Sequence, residues 1–306
     1  MLPWPPIEEP ELLRRMSMDD AEFAAFIRGV VARLGPRPCD AAAIARAMAY
    51  PWARPAGSYL LRDGTVATLA AMGRAERERA IAGFSSPGSG RLPVLAIGSN
   101  AAPEALERKF AHFAAAADRA LLALTGRLHD FDIGVAAQPT MYGSMPATPF
   151  PSPGTAVAAT LLWVTPAQFT QLAWSEITYR LGRLRARFEI DESAIAFDEV
   201  LVFASRFGSF CPQGEPVALA AIPATGRSAP ELSQGQLLEA AARLALEPAA
   251  GAETLVRAIF EEPAATLAKI VATVHRAALQ FSSDAWTPFS PPGDTATGAV
   301  QSAARG

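Results

Sequence analysis
Apolar residues recur at helical spacing over the first third of the chain. They break into short runs from Arg91 and return to helical spacing beyond Glu215. Phe23, Phe26, Ile27, Val30, Val31 and Leu34 share one helical face; Ser17-Met18-Asp19-Asp20 reads as a capping box ahead of them and Gly35-Pro36 as their stop. A second helix is predicted over 41–49, and further helical segments run to about Phe84. Between them lies an aromatic, proline-rich stretch from Tyr50 to Tyr59, which reads as a packed loop or as a binding loop. Ser85-Ser86-Pro87-Gly88-Ser89-Gly90 is a linker by composition.

From Arg91 the apolar runs 94–97, 121–124, 128–135, 156–164, 184–190 and 200–205 read as strands. Helices are predicted over 103–117 and 166–175, and a proline-rich loop over 146–154. Short strands with few helices, out of regular alternation, predict an α+β fold, not a doubly wound sheet. Helical spacing resumes over 234–246, 253–261 and 266–281. The expected organisation is an N-terminal helical extension over 1–90, an α+β domain over 91–230, C-terminal helices over 231–283 and a tail without fixed structure over 284–306.

Composition narrows the function classes. Half of the 306 residues are hydrophobic, enough for a sizeable core. No apolar run of about 18 residues escapes charge or proline, so no membrane span is predicted. The opening, MLPWPPIEEPELLRR, lacks the apolar centre of a secretory signal, and a cytoplasmic location is expected. A net charge of −3 offers no basic field to nucleic acid. Cys39 and Cys211 have neither metal-ligand spacing nor a disulfide framework, and read as thiols in a reducing compartment. Arginine greatly outnumbers lysine, which occurs only at Lys109 and Lys269; with abundant alanine this suggests a GC-rich bacterial genome.

Two features carry candidate chemistry. The run Leu95-Ala96-Ile97 ends in Gly98-Ser99-Asn100 and feeds a helix that starts near Pro103. A glycine there lets a ligand approach the backbone, and unpaired N–H groups at the helix start favour a carboxylate or an oxyanion. A plain structural turn has the same sequence. The second feature is Glu176, at the end of a helix opened by the capping box Thr165-Pro166-Ala167-Gln168. The negative end of the helix dipole and the neighbours Trp174, Ile177 and Tyr179 would both raise its pKa towards that of a general base. The alternative is a surface glutamate at a frayed helix end.

Other groups are weaker signals. His129-Asp130-Phe131-Asp132 reads as metal ligands or, more simply, as a strand with a polar face. No nucleophile elbow surrounds Ser99. Arg183, Arg185 and Arg187 alternate, so on one strand they would share a face: a solvated surface, an anionic-substrate rim or a contact with the flanking helices. Tyr142, in Met141-Tyr142-Gly143-Ser144-Met145, is placed to touch a ligand.

Taken together, Leu95-Ala96-Ile97-Gly98-Ser99-Asn100, the stretch Ala147–Gly154 with its Ser-Pro-Gly turn, and Leu172-Ala173-Trp174-Ser175-Glu176 resemble, in order and spacing, the γ-glutamylcyclotransferase-like family over about residues 92–206. His129-Asp130-Phe131 resembles the stretch before the family's second strand. The resemblance implies a small mixed β-barrel or sheet with added terminal helices. It implies cyclisation of a γ-glutamyl amine to 5-oxoproline with release of the amine, no cofactor and no metal. Glu176 would be the acid/base, with Ile97, Gly98, Ser99, Asn100, Tyr142 and Tyr179 around the substrate. The family usually has tyrosine where this chain has Ile97, and its Leu-Asp-x-x-Glu aspartate is Ala173 here. The alternative is a catalytically inactive binding or scaffold protein that keeps the fold, with a protein partner on the terminal helices.

Overall fold
The computed structural model describes residues 2–191, 193 and 195–290. Three helices open the chain: α1 (Pro10–Met16), α2 (Asp20–Val31) and α3 (Ala41–Met48). The capping box of α2 is made by Asp19 with Glu22, two residues later than the sequence reading had it. A hairpin follows, β1 (Tyr59–Arg62) and β2 (Thr65–Thr68), turning through Asp63 and Gly64 with φ of 46° and 74°. Then come α4 (Arg74–Ser85), β3 (Leu92–Ala96), α5 (Pro103–Phe110), β4 (Ala120–Val135), β5 (Ala147–Val164), α6 (Pro166–Ser175), β6 (Tyr179–Leu184), β7 (Phe188–Ile190), β8 (Ala196–Phe197) and β9 (Val200–Ser205). Short strands β10 (Ser209–Phe210), β11 (Ala218–Leu219), β12 (Ala224–Thr225) and β13 (Glu231–Leu232) lead to α7 (Gln234–Ala245), α8 (Ala252–Glu261) and α9 (Pro263–Ala272). β14 (Ala278–Leu279) and β15 (Trp286–Pro288) close the described chain.

The main sheet runs β13-β11-β4-β5-β3-β9-β6-β15, with β1 and β7 also on β4. Most pairs are antiparallel; β3–β9 and β11–β13 are parallel. The order runs from β13 to β15 without closing, so the described residues form a large open mixed sheet, not a closed barrel. Its strands are apolar on both faces because both faces are covered. Leu122, Leu124, Leu95 and Val202 join a cluster with Ala47, Leu237, Val256, Ile259 and Ile270 from α3 and α7–α9. Their alternate neighbours Leu121, Ala123, Val94 and Leu201 join Leu12, Leu106, Phe110, Phe169 and Leu172 from α1, α5 and α6. The terminal helices therefore turn apolar faces onto the sheet. Among the described residues no helix is long and apolar enough to cross a membrane.

Several expectations are corrected. The first ninety residues are not all helical, since β1 pairs with β4 inside the main sheet. The proline-rich stretch 146–154 is mostly strand. Pro149, Pro151 and Pro153 fall at every second position of β5, so their missing N–H groups all face one edge, and over 147–153 β5 pairs only with β4. The strand predicted over 184–190 is broken: β6 ends at Leu184, 185–187 form a connection and β7 follows, so Arg183, Arg185 and Arg187 do not share one strand face. Arg183 lies over the Trp4 ring at 4.1 Å, Arg185 donates to the Asp284 carbonyl (2.6 Å), and Arg187 pairs with Glu189 (2.6 Å). The helix predicted over 266–281 ends at Ala272, and the tail predicted from 284 begins with β15 on β6. Positions 291–306 of that tail lie outside the described residues.

Candidate functional site
β3 lies inside the sheet between β5 and β9, and its carboxyl end leaves the sheet through Ile97 and Gly98. The chain then makes a 3-10 turn, Ser99–Ala101, before α5. Ala101 N–H donates to Gly98 O (3.0 Å) and Ala102 N–H to Ser99 O (2.9 Å). The N–H groups of Ser99 and Asn100 precede these bonds and have no partner within the turn. Gly98 has no room for a side chain: an added Cβ would lie 2.3 Å from the Tyr50 hydroxyl and 3.1 Å from the Ala147 Cβ. The Tyr50 hydroxyl is fixed, because it accepts the Ala147 N–H at 2.8 Å. The Tyr179 hydroxyl donates to the Ala147 carbonyl at 3.0 Å, so two phenols pin the start of β5 beside the turn.

Glu176 reaches the same place from the far end of α6. Thr165 and Gln168 close a capping box with Pro166 in the first turn, which fixes where α6 starts. Ten residues later the helix is capped by Glu176, whose N–H bonds to the Leu172 and Ala173 carbonyls at 3.1 Å. Its carboxylate is held by one oxygen. Oε1 accepts from Asn100 Nδ2 (2.9 Å) and lies 3.7 Å from Lys109 Nζ. Lys109 in turn donates to Asn100 Oδ1 (2.5 Å) and Ser175 Oγ (2.7 Å). Oε2 accepts no hydrogen bond from the described residues. The two side chains are only 14% (Lys109) and 16% (Glu176) exposed. Burial pushes the Lys109 ammonium below its ordinary pKa, against the opposing pull of Glu176.

These groups line a cavity of about 260 Å³. The structure brings together round it all seven residues singled out in the sequence: Ile97, Gly98, Ser99, Asn100, Tyr142, Glu176 and Tyr179. Ile97 is 6% exposed and packs in the core cluster of the α7–α9 face. The apolar ring expected round Glu176 is only partial, since Trp174 turns away to α1, donating to Glu9 Oε2 at 2.7 Å under the Arg15 guanidinium. Burial is the main cause that raises the phenol pKa values of Tyr50, Tyr142 (to about 12) and Tyr179, and the Glu176 charge adds to it. All three phenols therefore keep their protons at neutral pH.

Sequence reasoning did not single out Lys109, Ser175 or Arg108, and left Tyr50 and Trp52 in a stretch read as loop. A signal existed for Lys109: it is one of two lysines in a chain that otherwise uses arginine. Trp52 is held at φ 70°, a left-handed conformation rare for a bulky residue, by its N–H on Ala49 O (2.9 Å), its indole N–H on Arg46 O (3.1 Å) and the Arg46 guanidinium 4.1 Å over its ring. The alternative ligand set is otherwise engaged. His129 meets Glu189 (3.1 Å), Asp130 accepts the Gly154 N–H (2.9 Å), and Asp132, expected on a polar surface, is fully buried against Arg227. Among the described residues no group of three or more His, Cys, Asp or Glu side chains is placed to hold a metal.

No family model and no curated protein matches this chain. Three solved chains do. One is described as a gamma-glutamyl cyclotransferase, with 17% identity and a TM-score of 0.30 over 38% of this chain and 66% of its own. Another is an uncharacterized protein from Homo sapiens, with 16% identity and a TM-score of 0.30 over 38% of this chain and 67% of its own. The match thus spans about two thirds of each neighbour, at a similarity too low to carry an argument about activity.

Proposed function
We propose that this protein cyclises a γ-glutamyl amine to 5-oxoproline and releases the amine, with Glu176 as general base and then general acid. The observation that carries the reading is the half-bonded carboxylate. Asn100 and Lys109 fix Glu176 through Oε1, while Oε2 is left unbonded beside a cavity lined by the Gly98 turn. The motif resemblance over 92–206 supplies the substrate class.

The chemistry follows from that geometry. The substrate's α-ammonium must lose a proton before its nitrogen can attack, and Oε2 is the acceptor within the cavity. The α-nitrogen then bonds to the substrate's own γ-carbonyl carbon, closing a five-membered ring. The negative charge that develops on the carbonyl oxygen is met by the free N–H groups of Ser99 and Asn100. When the intermediate collapses, the C–N bond to the amine breaks as the proton on Glu176 passes to the departing nitrogen; the ring nitrogen gives its second proton back to Glu176, which hands it on to the released amine, so the products are the lactam and an ammonium ion. No water is consumed. Because the nucleophile belongs to the substrate, the protein's main contribution is to hold it folded towards its carbonyl. The Lys109 ammonium compensates the carboxylate charge while Glu176 waits. Tyr50 and Tyr142, both neutral, can offer O–H groups to the substrate without adding charge, whereas the Tyr179 O–H is kept by the Ala147 carbonyl.

The test is to incubate the protein with a panel of γ-glutamyl amines in ¹⁸O-water and follow the products by mass spectrometry. The reading expects 5-oxoproline without heavy oxygen and an equal amount of free amine. Labelled glutamate would mean hydrolysis instead. Silence across the panel, with saturable binding of its members, would favour a binding protein that keeps the cavity without the chemistry.

A further inference from the structure
We propose that a second cavity, behind the Gly98 turn, binds a small metabolite carrying an oxyanion, with Arg54 as its anchor. This cavity is about 580 Å³ and lies between the 49–59 segment and strands β4 and β5. Arg54 lines it. Its Nη2 donates to the Gly98 carbonyl (2.9 Å) and more weakly to that of Ile97 (3.4 Å). No carboxylate pairs with this guanidinium among the described residues; its Nε–H is sealed without a partner, and Nη1 makes no bond to them. A half-buried cation with no anion beside it keeps the capacity to hold one, since carbonyl dipoles replace only part of its lost hydration. Burial accordingly pushes the Arg54 pKa down.

The walls supply further donors. Thr160, 4% exposed, has no side-chain partner among the described residues, and Thr125 adds a hydroxyl whose contact with Ser58 is a long 3.4 Å; the Tyr59 O–H is already given to the Ala101 carbonyl (2.9 Å). Among the described residues the acid on the wall is Asp191, which lies 3.7 Å from Arg127. Arg206 shows what distinguishes Arg54. It too is bonded to carbonyls, and is the more deeply buried of the two, but it lies in the field of Asp19 and Asp20 and lines neither cavity. An oxyanion on Arg54 would share the guanidinium that grips the Gly98 carbonyl, so its binding would be felt at the turn.

The inference stands apart from the proposed reaction, because its test reads binding alone. Titrate the full chain with sodium phosphate and with sodium succinate by calorimetry and thermal melting, against sodium chloride at matched ionic strength. One saturable site and a raised Tm are expected for at least one probe, and the preferred probe distinguishes phosphate from carboxylate ligands. Arg54→Met should weaken it about tenfold or more. Because Arg54 also braces the turn, two variants that spare it complete the test. Thr160→Val should weaken binding about threefold, and Asp191→Asn, by removing the wall acid, should tighten it by a similar factor. No saturable binding of either probe, or identical binding in wild type, Thr160→Val and Asp191→Asn, would overturn the inference.

Discussion
Two ion pairs in this molecule look alike on paper and differ in every physical respect. Arg227 and Asp132 meet through two parallel bonds, 2.7 and 2.8 Å, with side chains 5% and 0% exposed. The Ile133 N–H adds a third bond to Asp132 at 2.8 Å, and Glu231 a second carboxylate to Arg227 at 2.9 Å. Lys109 and Glu176 stand 3.7 Å apart, touch through Asn100, and leave one carboxylate oxygen unbonded. The cations respond in opposite directions. Burial works against the charge of Arg227, yet its bonds to Asp132 and Glu231 outweigh burial and raise its pKa. For Lys109 burial prevails over Glu176 and lowers the pKa. A saturated pair can only hold the fold together; an incompletely bonded one beside a cavity still has a lone pair to offer a substrate.

That contrast can be broken by substitution. The largest expected effect is on the saturated pair. Arg227→Met leaves Asp132 buried without its cation and should cost about 3–5 kcal/mol of unfolding free energy in urea, much of it restored when Asp132→Leu is added. A neutral result would mean that Asp132 is not held as described. Next comes the turn that serves the open pair. Gly98→Ala drives a methyl into the Tyr50 hydroxyl and should cost about 1–3 kcal/mol. Because Tyr50→Phe also strips the Ala147 N–H of its acceptor, the comparison is a cycle: Gly98→Ala should cost less in a Tyr50→Phe background than in the parent chain, and an equal cost in both would move the strain elsewhere.

The smallest effect is a slope. With the Lys109 pKa depressed in the folded state, the unfolded chain keeps its proton to higher pH than the native one. The stability of the parent chain should therefore rise, relative to Lys109→Met, as pH climbs through the window just below 10.5, and stay level with it at lower pH. The phenols titrate in both chains and cancel in the difference. A falling slope, the sign expected of a well-paired cation such as Arg227, would erase the distinction.

How much of this was legible in the sequence follows from the range of each signal. Local chemistry read well. The Thr165–Gln168 cap fixed α6, short continuous apolar runs marked β3 and β9, and the glycine after the first marked the Gly98 turn. The Asp63-Gly64 pair, a strong two-residue hairpin signal, was passed over inside a stretch read as helical, so β1 and β2 were missed. Prolines at alternate positions of β5 were read as loop, because which edge of a strand goes unpaired is a tertiary fact. Within the candidate site, the Gly98 turn and Glu176 stood out through their own neighbours. Tyr50 and Trp52 lay in a stretch that read as a packed loop or a binding loop, and Lys109 stood out only as a rare lysine; what joins them to the cavity is folding.

The most direct test pairs two readings on one variant, Glu176→Gln: the rate of 5-oxoproline formation from a γ-glutamyl amine that the parent chain turns over, and the unfolding free energy. An incompletely bonded acid/base predicts a rate lower by about 10²–10⁴-fold with stability unchanged within about 1 kcal/mol. Turnover at the parent rate, or a loss of stability as large as that expected of Arg227→Met, would contradict the account.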